Sequence, residues 1–340
     1  MKSTFLYWAF GSIFFMGINN SQRDEHTNLI ISDSNSQGSL SEKWPSTISQ
    51  VGQDSMAPYI ITLGITQDGG YPHIGCQRAC CAPAILHATN KKRPVSLALV
   101  DPIQKKWWLF EATPEITEQL NLFAEKTGYM YKYLPEGILL THAHIGHYSG
   151  LMFLGREALG AKQIPVYALP KMKTYLEQNG PWSQLVQLKN IDIRSLNANA
   201  VTRLSENISI TAFTVPHRDE FSETAGFKIQ AGKRSFLFIP DIDKWSKFEQ
   251  KISDLVREVD LAFLDATFLS AEELAYRNIS EVPHPYVEET IRIICDVDKE
   301  LGRKIVFIHF NHTNPLLWNN NEKAKVVLSG FGVAEEGSRY

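Results

Sequence analysis

The stretch LLTHAHIGHYSGL (139–151) sets His142, His144 and His147 within six positions, directly behind a short apolar run. In an extended chain alternate side chains share a face, so His142 and His144 point the same way. A turn at Ile145-Gly146 can then swing His147 in from a new direction. This is a sound way to present three imidazoles from one strand end to one small volume. Zinc takes imidazole nitrogen at about 2.0–2.1 Å, and a catalytic site leaves one coordination position open for water. The plainer alternative is surface or core histidines with no metal.

Working outward, other donors also fall at the ends of apolar runs. His217 ends ITAFTVPH, Asp241 ends SFLFIPD, and His309 lies within KIVFIHFNHTNP. Singly, His217 reads as well as a loop histidine and Asp241 as a helix N-cap. Together with the triplet they make a coherent metal edge, because the ends of neighbouring strands converge at one side of a sheet. Asp241 and His309 are the candidate catalytic residues.

Runs rich in β-branched and aromatic residues predict strands at 59–64, 95–101, 106–112, 137–142, PVYAL (165–169), 208–215, AGFKIQA (225–231), 235–241, 260–266 and 304–310. Helices are expected behind Thr113-Pro114, behind Ser149 over SGLMFLGREALG, over KWSKFEQKISDLVREV (244–259) and over PYVEETIRIICDVDKEL (285–301). Strands come in two batches with helices after each. That order suits two sheets packed face to face with helices outside.

The chain has 340 residues, 44% hydrophobic and 21% charged, enough to bury a real core. Its 34 Lys and Arg against 37 Asp and Glu leave a formal charge of -3, which excludes the basic surface that nucleic acids or anionic lipids attract. A small-molecule substrate is the expected partner. Residues 1–20 read as a signal peptide: one early Lys, then an apolar run from Phe5 to Ile18 too short for a comfortable membrane span. An uncleaved anchor or a misassigned start are the alternatives, since no clear A-x-A site follows. The mature protein is expected to be exported, periplasmic or secreted, with no membrane span after processing. Residues 21–57, rich in Ser, Asn, Gln and Asp, read as a flexible tether, and 58–335 as one domain.

With these residues in place, the chain resembles the metallo-β-lactamase-fold superfamily, whose signature is H-x-H-x-D-H followed by a His, a bridging Asp and a final His. Within it the chain most closely resembles the pyrroloquinoline quinone biosynthesis protein B group. GITQDGGYPHIGC (64–76), WWLFEATPEI (107–116) and FIHFNHTNPLL (307–317) carry that likeness. The resemblance implies a four-layer αββα sandwich of two mixed sheets. It also implies one metal held by His142, His144 and His217, and a second facing His147, Asp241 and His309, with Asp241 bridging. The ions would be zinc, one or two, with iron as the alternative. Gly146 departs from the pattern, which has Asp there, so the second site lacks a carboxylate. Either it binds weakly or another residue substitutes, with Asp219, Asp243, His284 and His312 as candidates.

The same group carries C-x-C-x-x-C, part of a structural zinc site, where this chain has Cys76, Cys80 and Cys81. Cys76 and Cys81 match its first and third positions, Arg78 occupies the second, and Cys80 could stand in. A disulfide is the competing reading in an exported protein. Cys295 reads as plain core on a helix. Asp265, in FLDATF, resembles the group's D-G-T and is expected to hold a ligand histidine from behind. His284, flanked by prolines, reads equally as part of a rigid turn, and Gly69-Gly70 as a tight turn.

The expected function is metal-dependent hydrolysis of an ester, lactone, lactam or phosphodiester. The closer resemblance implies iron-dependent oxidation in cofactor maturation instead. A non-catalytic metal-binding protein is the third reading, and Gly146 is the feature that supports it.

Overall fold

Along the chain, antiparallel pairing gives way to parallel pairing in both sheets of the computed structural model, which describes residues 56–274 and 283–340. The expected signal peptide and nearly all of the tether lie outside those residues. Among the described residues the first sheet has six strands in chain order: β1 (Tyr59–Gly64), β2 (Ser96–Asp101), β3 (Lys106–Phe110), β4 (Ile138–Leu139), β5 (Ile164–Ala168) and β6 (Ile191–Ser195). β1, β2 and β3 pair antiparallel and β3 through β6 parallel. The second sheet runs β7 (Val201–Arg203), β8 (Ile208–Val215), β9 (Thr224–Ala231), β10 (Arg234–Ile239), β11 (Leu261–Asp265), β12 (Ile305–Ile308) and β13 (Gly332–Val333). It is antiparallel from β7 to β10 and parallel from β10 to β13.

Both faces of each central strand are covered, which is why the strands read as nearly continuous apolar runs. Ile60, Leu97, Leu99 and Phe110 point between the sheets, where the Phe110 ring meets Phe227 and Phe238 edge-on at 5.4 and 5.6 Å. Ile61, Leu63, Ala98 and Trp107 point the other way, and the helix Ile116–Lys126 covers them with Phe123 stacked on Trp107 at 3.8 Å. Val287 and Ile294 of the helix Val287–Asp298 close the outer face of the second sheet. The layers are therefore helix, sheet, sheet, helix.

Several elements differ from expectation. The helix expected from Ser149 is a single α-turn, Ile145–Tyr148, followed by a 3-10 segment, Ser149–Leu154. Gly150 lets this segment pack against the chain after β3, with its N–H donating to the Ala112 carbonyl at 2.8 Å, where a Cβ would lie 1.9 Å from the Thr113 carbonyl oxygen. The helix expected over 244–259 is a 3-10 turn, Trp245–Lys247, and a separate helix, Ile252–Arg257. Cys295 is exposed rather than core, because Val287, Thr290 and Ile294 form the buried stripe of its helix and Cys295 falls beside it. Beyond residue 335 the chain turns back along β1, with Tyr340 N–H donating to the Ile60 carbonyl at 2.8 Å. No helix among the described residues is long and apolar enough to cross a membrane.

β8, β10, β11 and β12 run in the same direction, so their carboxyl ends share one edge, the usual place for a ligand in such sheets. The chain after β4 meets that edge through two hydrogen bonds: Ala225 N–H to the Thr141 carbonyl at 3.0 Å, and Ala143 N–H to Ser222 Oγ at 2.9 Å.

Candidate metal centre

Asp241 Oδ2 is the hub of the site. It lies 3.4 Å from His142 Nε2, 3.3 Å from His217 Nε2, 3.7 Å from His147 Nε2 and 3.8 Å from His309 Nε2. Donors bound tetrahedrally at 2.0–2.1 Å stand about 3.4 Å apart, so these spacings are those of a coordination shell. His144 completes the first group through Nδ1, 3.2 Å from His217 Nε2, while its Nε2 faces Glu220 at 3.3 Å. His142, His144, His217 and Asp241 thus gather around one point.

Each Nε2 donor has an oxygen behind its other ring nitrogen, which fixes the tautomer that leaves a lone pair facing inward. Thr141 Oγ1 is 2.8 Å from His142 Nδ1, Asp243 Oδ1 is 3.3 Å from His217 Nδ1, and Glu111 Oε1 is 3.4 Å from His147 Nδ1. His309 Nδ1 donates to Thr267 Oγ1 at 3.0 Å, and that hydroxyl donates to Asp265 Oδ1 at 2.7 Å. Asp265 therefore reaches His309 through Thr267, and it also accepts from His284 Nδ1 at 2.9 Å. His284 Nδ1 stands 3.3 Å from Asp241 Oδ1 as well.

The donors fit a cation by a second criterion. His142 Nε2, His147 Nε2, His309 Nε2, Asp241 Oδ1 and Asp68 Oδ1 are buried with no hydrogen-bond partner of adequate geometry among the described residues. A buried polar atom left unpaired costs about 1–3 kcal/mol, so a cluster of them implies a missing binding partner. Burial alone would raise the Asp241 carboxyl, but His217, His309 and His284 hold it well below the usual carboxylate range. Burial and the neighbouring His147 push His142 well down, leaving it neutral as a ligand must be. Burial opposes a proton on His147, but the Glu111 and Asp68 carboxylates overcome it and hold that imidazole well above its ordinary value, so a cation at Nε2 must displace a proton there. Solvent enters on one side only: the side chains of His144 and Asp68 keep 13% and 26% exposure, against 3% or less for His142, His147, His217, Asp241 and His309.

Residues 106–310 match the family model described as beta-lactamase superfamily domain. The chain belongs to the beta-lactamase superfamily. Coenzyme PQQ synthesis protein B of Methylorubrum extorquens (strain PA1) is 24% identical over 303 residues, covering 82% of this chain and 98% of the relative. The protein of the same description from Gluconobacter oxydans (strain 621H) is 24% identical over 307 residues, covering 83% and 97%. Among solved structures, Zn(2+)-bound PqqB from Methylobacterium extorquens superposes with a TM-score of 0.68 at 22% identity, covering 83% of this chain and 99% of that one. A diphosphatase from the PhnP family superposes with a TM-score of 0.59 at 20% identity, covering 84% and 97%. The chain is a PqqB-like protein with the metallo-β-lactamase αββα fold.

Against this superfamily pattern, the four residues considered as substitutes at Gly146 all stand elsewhere. Asp219 accepts from Thr224 Oγ1 at 3.2 Å, Asp243 stands behind His217, and His284 bridges Asp241 and Asp265. His312 joins the cysteines: its Nδ1 is 3.4 Å from Cys81 Sγ and 3.8 Å from Cys80 Sγ, and Cys76 Sγ is 3.8 Å from Cys80 Sγ. Thiolates bound at about 2.3 Å to one tetrahedral zinc stand about 3.8 Å apart. Cys76, Cys80, Cys81 and His312 thus make a four-donor group, with Cys80 and His312 completing what Cys76 and Cys81 begin. The structure links none of the four cysteines by a disulfide.

Two site residues escaped the sequence. Glu111 lies inside WWLFEATPEI, where its acidic character in an apolar run is the one signal that marks it. Asp68, directly before the glycine pair, places Oδ1 3.1 Å from His147 Nε2.

Proposed function

We propose that this protein is a metal-dependent hydrolase of small molecules. The observation that carries the reading is Asp241 Oδ2 standing 3.3–3.8 Å from four imidazole nitrogens, two from the HAHIGH segment and two from the second sheet. The chemistry supplied at such an edge by divalent metal, zinc in the first instance, is activation of water and polarisation of the scissile carbonyl or phosphoryl oxygen. Asp241 joins the two donor groups and orients the attacking water. His284, pushed up to about 9 by the Asp265 and Asp241 carboxylates against the effect of burial, keeps a proton on Nδ1 beside Asp241 Oδ1. Substrate approaches along the groove lined by Pro170, Lys171, Tyr175, Glu220 and Phe221, which meets the centre at the Glu220–His144 contact.

The test is a panel of bis(p-nitrophenyl) phosphate, a p-nitrophenyl ester, a lactone and a β-lactam, assayed with native, chelated and zinc-reloaded protein. Turnover of one class that vanishes with chelator and falls about 10²–10⁴-fold in Asp241→Asn is expected. Chelator-insensitive turnover would sink the reading. The likeness to coenzyme PQQ synthesis protein B over 98% of that relative's length favours a second reading, iron-dependent oxidation in cofactor maturation. Anaerobic metal analysis separates the two: zinc with oxygen-independent turnover supports hydrolysis, iron with an oxygen requirement supports oxidation. We also propose export, on the strength of the apolar run from Phe5 to Ile18. Recovery of the shortened chain in the periplasm or medium tests it.

A further inference from the structure

We propose that Asp68 supplies the carboxylate that position 146 lacks, so that Asp68, His147 and His309, with Asp241 bridging, form a complete second metal site. The inference rests on the metal-centre reading but not on any particular reaction.

A Cβ built on Gly146 would lie 2.1 Å from Asp68 Oδ1, 2.4 Å from Asp68 Cα and 2.7 Å from Asp68 Cβ. No side chain fits at 146 while the loop stands where it does. The volume in which a residue-146 carboxylate would start is already filled by another carboxylate. Its Oδ1 is 3.1 Å from His147 Nε2, and the donor atoms of Asp68, His147 and His309 all lie within 4.8 Å of one another. Asp68 Oδ1, His147 Nε2 and His309 Nε2 are each among the buried atoms left without hydrogen-bond partners among the described residues. Three unpaired donors converging on one point, two of them imidazole and one carboxylate, are the chemistry of a divalent cation site.

The backbone delivers Asp68 there by specific means. Phe310 N–H donates to the Ile65 carbonyl and Gln67 N–H to the Phe310 carbonyl, both at 2.9 Å, so the loop is stitched to the segment that carries His309. Gly70 N–H closes the turn onto the Gln67 carbonyl at 2.9 Å, with Gly70 at φ +68°, where glycine is unstrained. A side chain at Gly69 would strike the His73 ring at 2.5 Å. The glycine pair, readable from sequence only as a tight turn, is what lets Asp68 approach His147. The ligand set keeps two carboxylates, Asp68 and Asp241, so the loss of charge expected from Gly146 is made good by the loop.

A bare ion pair between Asp68 and His147 is the competing account, and counting ions separates the two. The full chain is stripped with chelator and titrated with cobalt(II). Bound ions are counted by plasma mass spectrometry, with cobalt at the cysteines recognised by its sulfur charge-transfer absorption. The wild type is expected to hold two ions at the histidine edge. Asp68→Asn and Asp68→Ala are expected to hold one, the second ion's affinity falling on the order of 100-fold or more, beyond the cost of losing a mere supporting contact. Circular dichroism should be unchanged. Gly146→Ala removes no donor, yet its Cβ must displace Asp68, so it should lose the same ion; if it does not fold, the two Asp68 variants decide alone. Retention of both edge ions at wild-type affinity by Asp68→Ala overturns the proposal, and so does a wild type that takes only one. Failure of every hydrolysis assay would leave this ion count untouched, so the two readings fail separately.

Discussion

Glu111 is fully buried behind His147 with its backbone at φ 69°, a conformation that costs a non-glycine residue about 1–3 kcal/mol and persists only where the surroundings dictate it. Here the dictating contacts are Thr141 N–H to Oε2 at 3.3 Å and the His147 ring facing Oε1 at 3.4 Å. His309 sits at φ 69° too, so two residues that define the second site are held in the left-handed region. Glu111→Gln keeps the shape but weakens the pull on the His147 Nδ1 proton. It should reduce affinity for the second edge ion by about 10–100-fold and leave the first unchanged, as read by cobalt titration. Equal loss of both ions would mean that Glu111 acts on the fold rather than on His147. The cysteine group makes a pH prediction. Burial pushes the Cys81 thiol up to about 12, so without metal it is protonated at neutral pH, and zinc must displace that proton. Binding then releases protons, and affinity falls about tenfold per pH unit for each proton displaced as pH drops. Competition with a chromogenic chelator at pH 8 and pH 6 should show zinc held at least about 100-fold more weakly at the lower pH.

At the scale of elements, the sandwich depends on strands that pack on both faces, and Phe110 is central among them. It ends β3, touches Phe227 and Phe238 of the other sheet, and leads directly into Glu111. Phe110→Ala should cost about 3–5 kcal/mol, measured as unfolding free energy in urea, with the remaining folded protein still binding metal. The central strands were legible in the sequence because burial on both faces leaves a run of apolar residues with no helical period. β6 was not, because it is an edge strand whose sequence, IDIRS, exposes Arg194 and Ser195. The helix Pro170–Gln178 buries only Met172 and Leu176 in an otherwise polar sequence, and it too left little pattern to read. The donors follow the same division. His142, His144, His217, Asp241 and His309 could be read because strand ends converge by rule. Asp68 and His312 arrive through turns, and no periodicity encodes where a turn directs a side chain.

Across the whole molecule the two metal groups are joined by two segments. One runs from Asp68 to Cys76, and the other from His309 to His312. Between them the His73 and His312 rings lie 4.5 Å apart, and Tyr71 Oη donates to the Cys80 carbonyl at 2.7 Å. A zinc held by the cysteines would therefore fix both ends of the loop that presents Asp68. Cys81→Ser should weaken the second edge ion as well as abolish the thiolate site, while sparing the ion at His142, His144 and His217; an unaltered second ion would mean that Gly70 and the Phe310 contacts hold the loop unaided. The same linkage governs stability. Each ion present at about 1,000 times its dissociation constant stabilises the fold by about 4 kcal/mol through mass action. For a chain of this size every kcal/mol moves the melting temperature by about 2–4 °C, so chelation of the wild type should lower it by on the order of 10 °C or more. Asp68→Ala begins with one ion fewer, and its chelator-induced drop should be smaller by one ion's increment. Equal drops in the two proteins would mean that Asp68→Ala keeps the second ion or that the wild type never holds it, because a site assembled from residues 68, 147, 241 and 309 exists only in the folded chain, and any ion bound there must add to the drop.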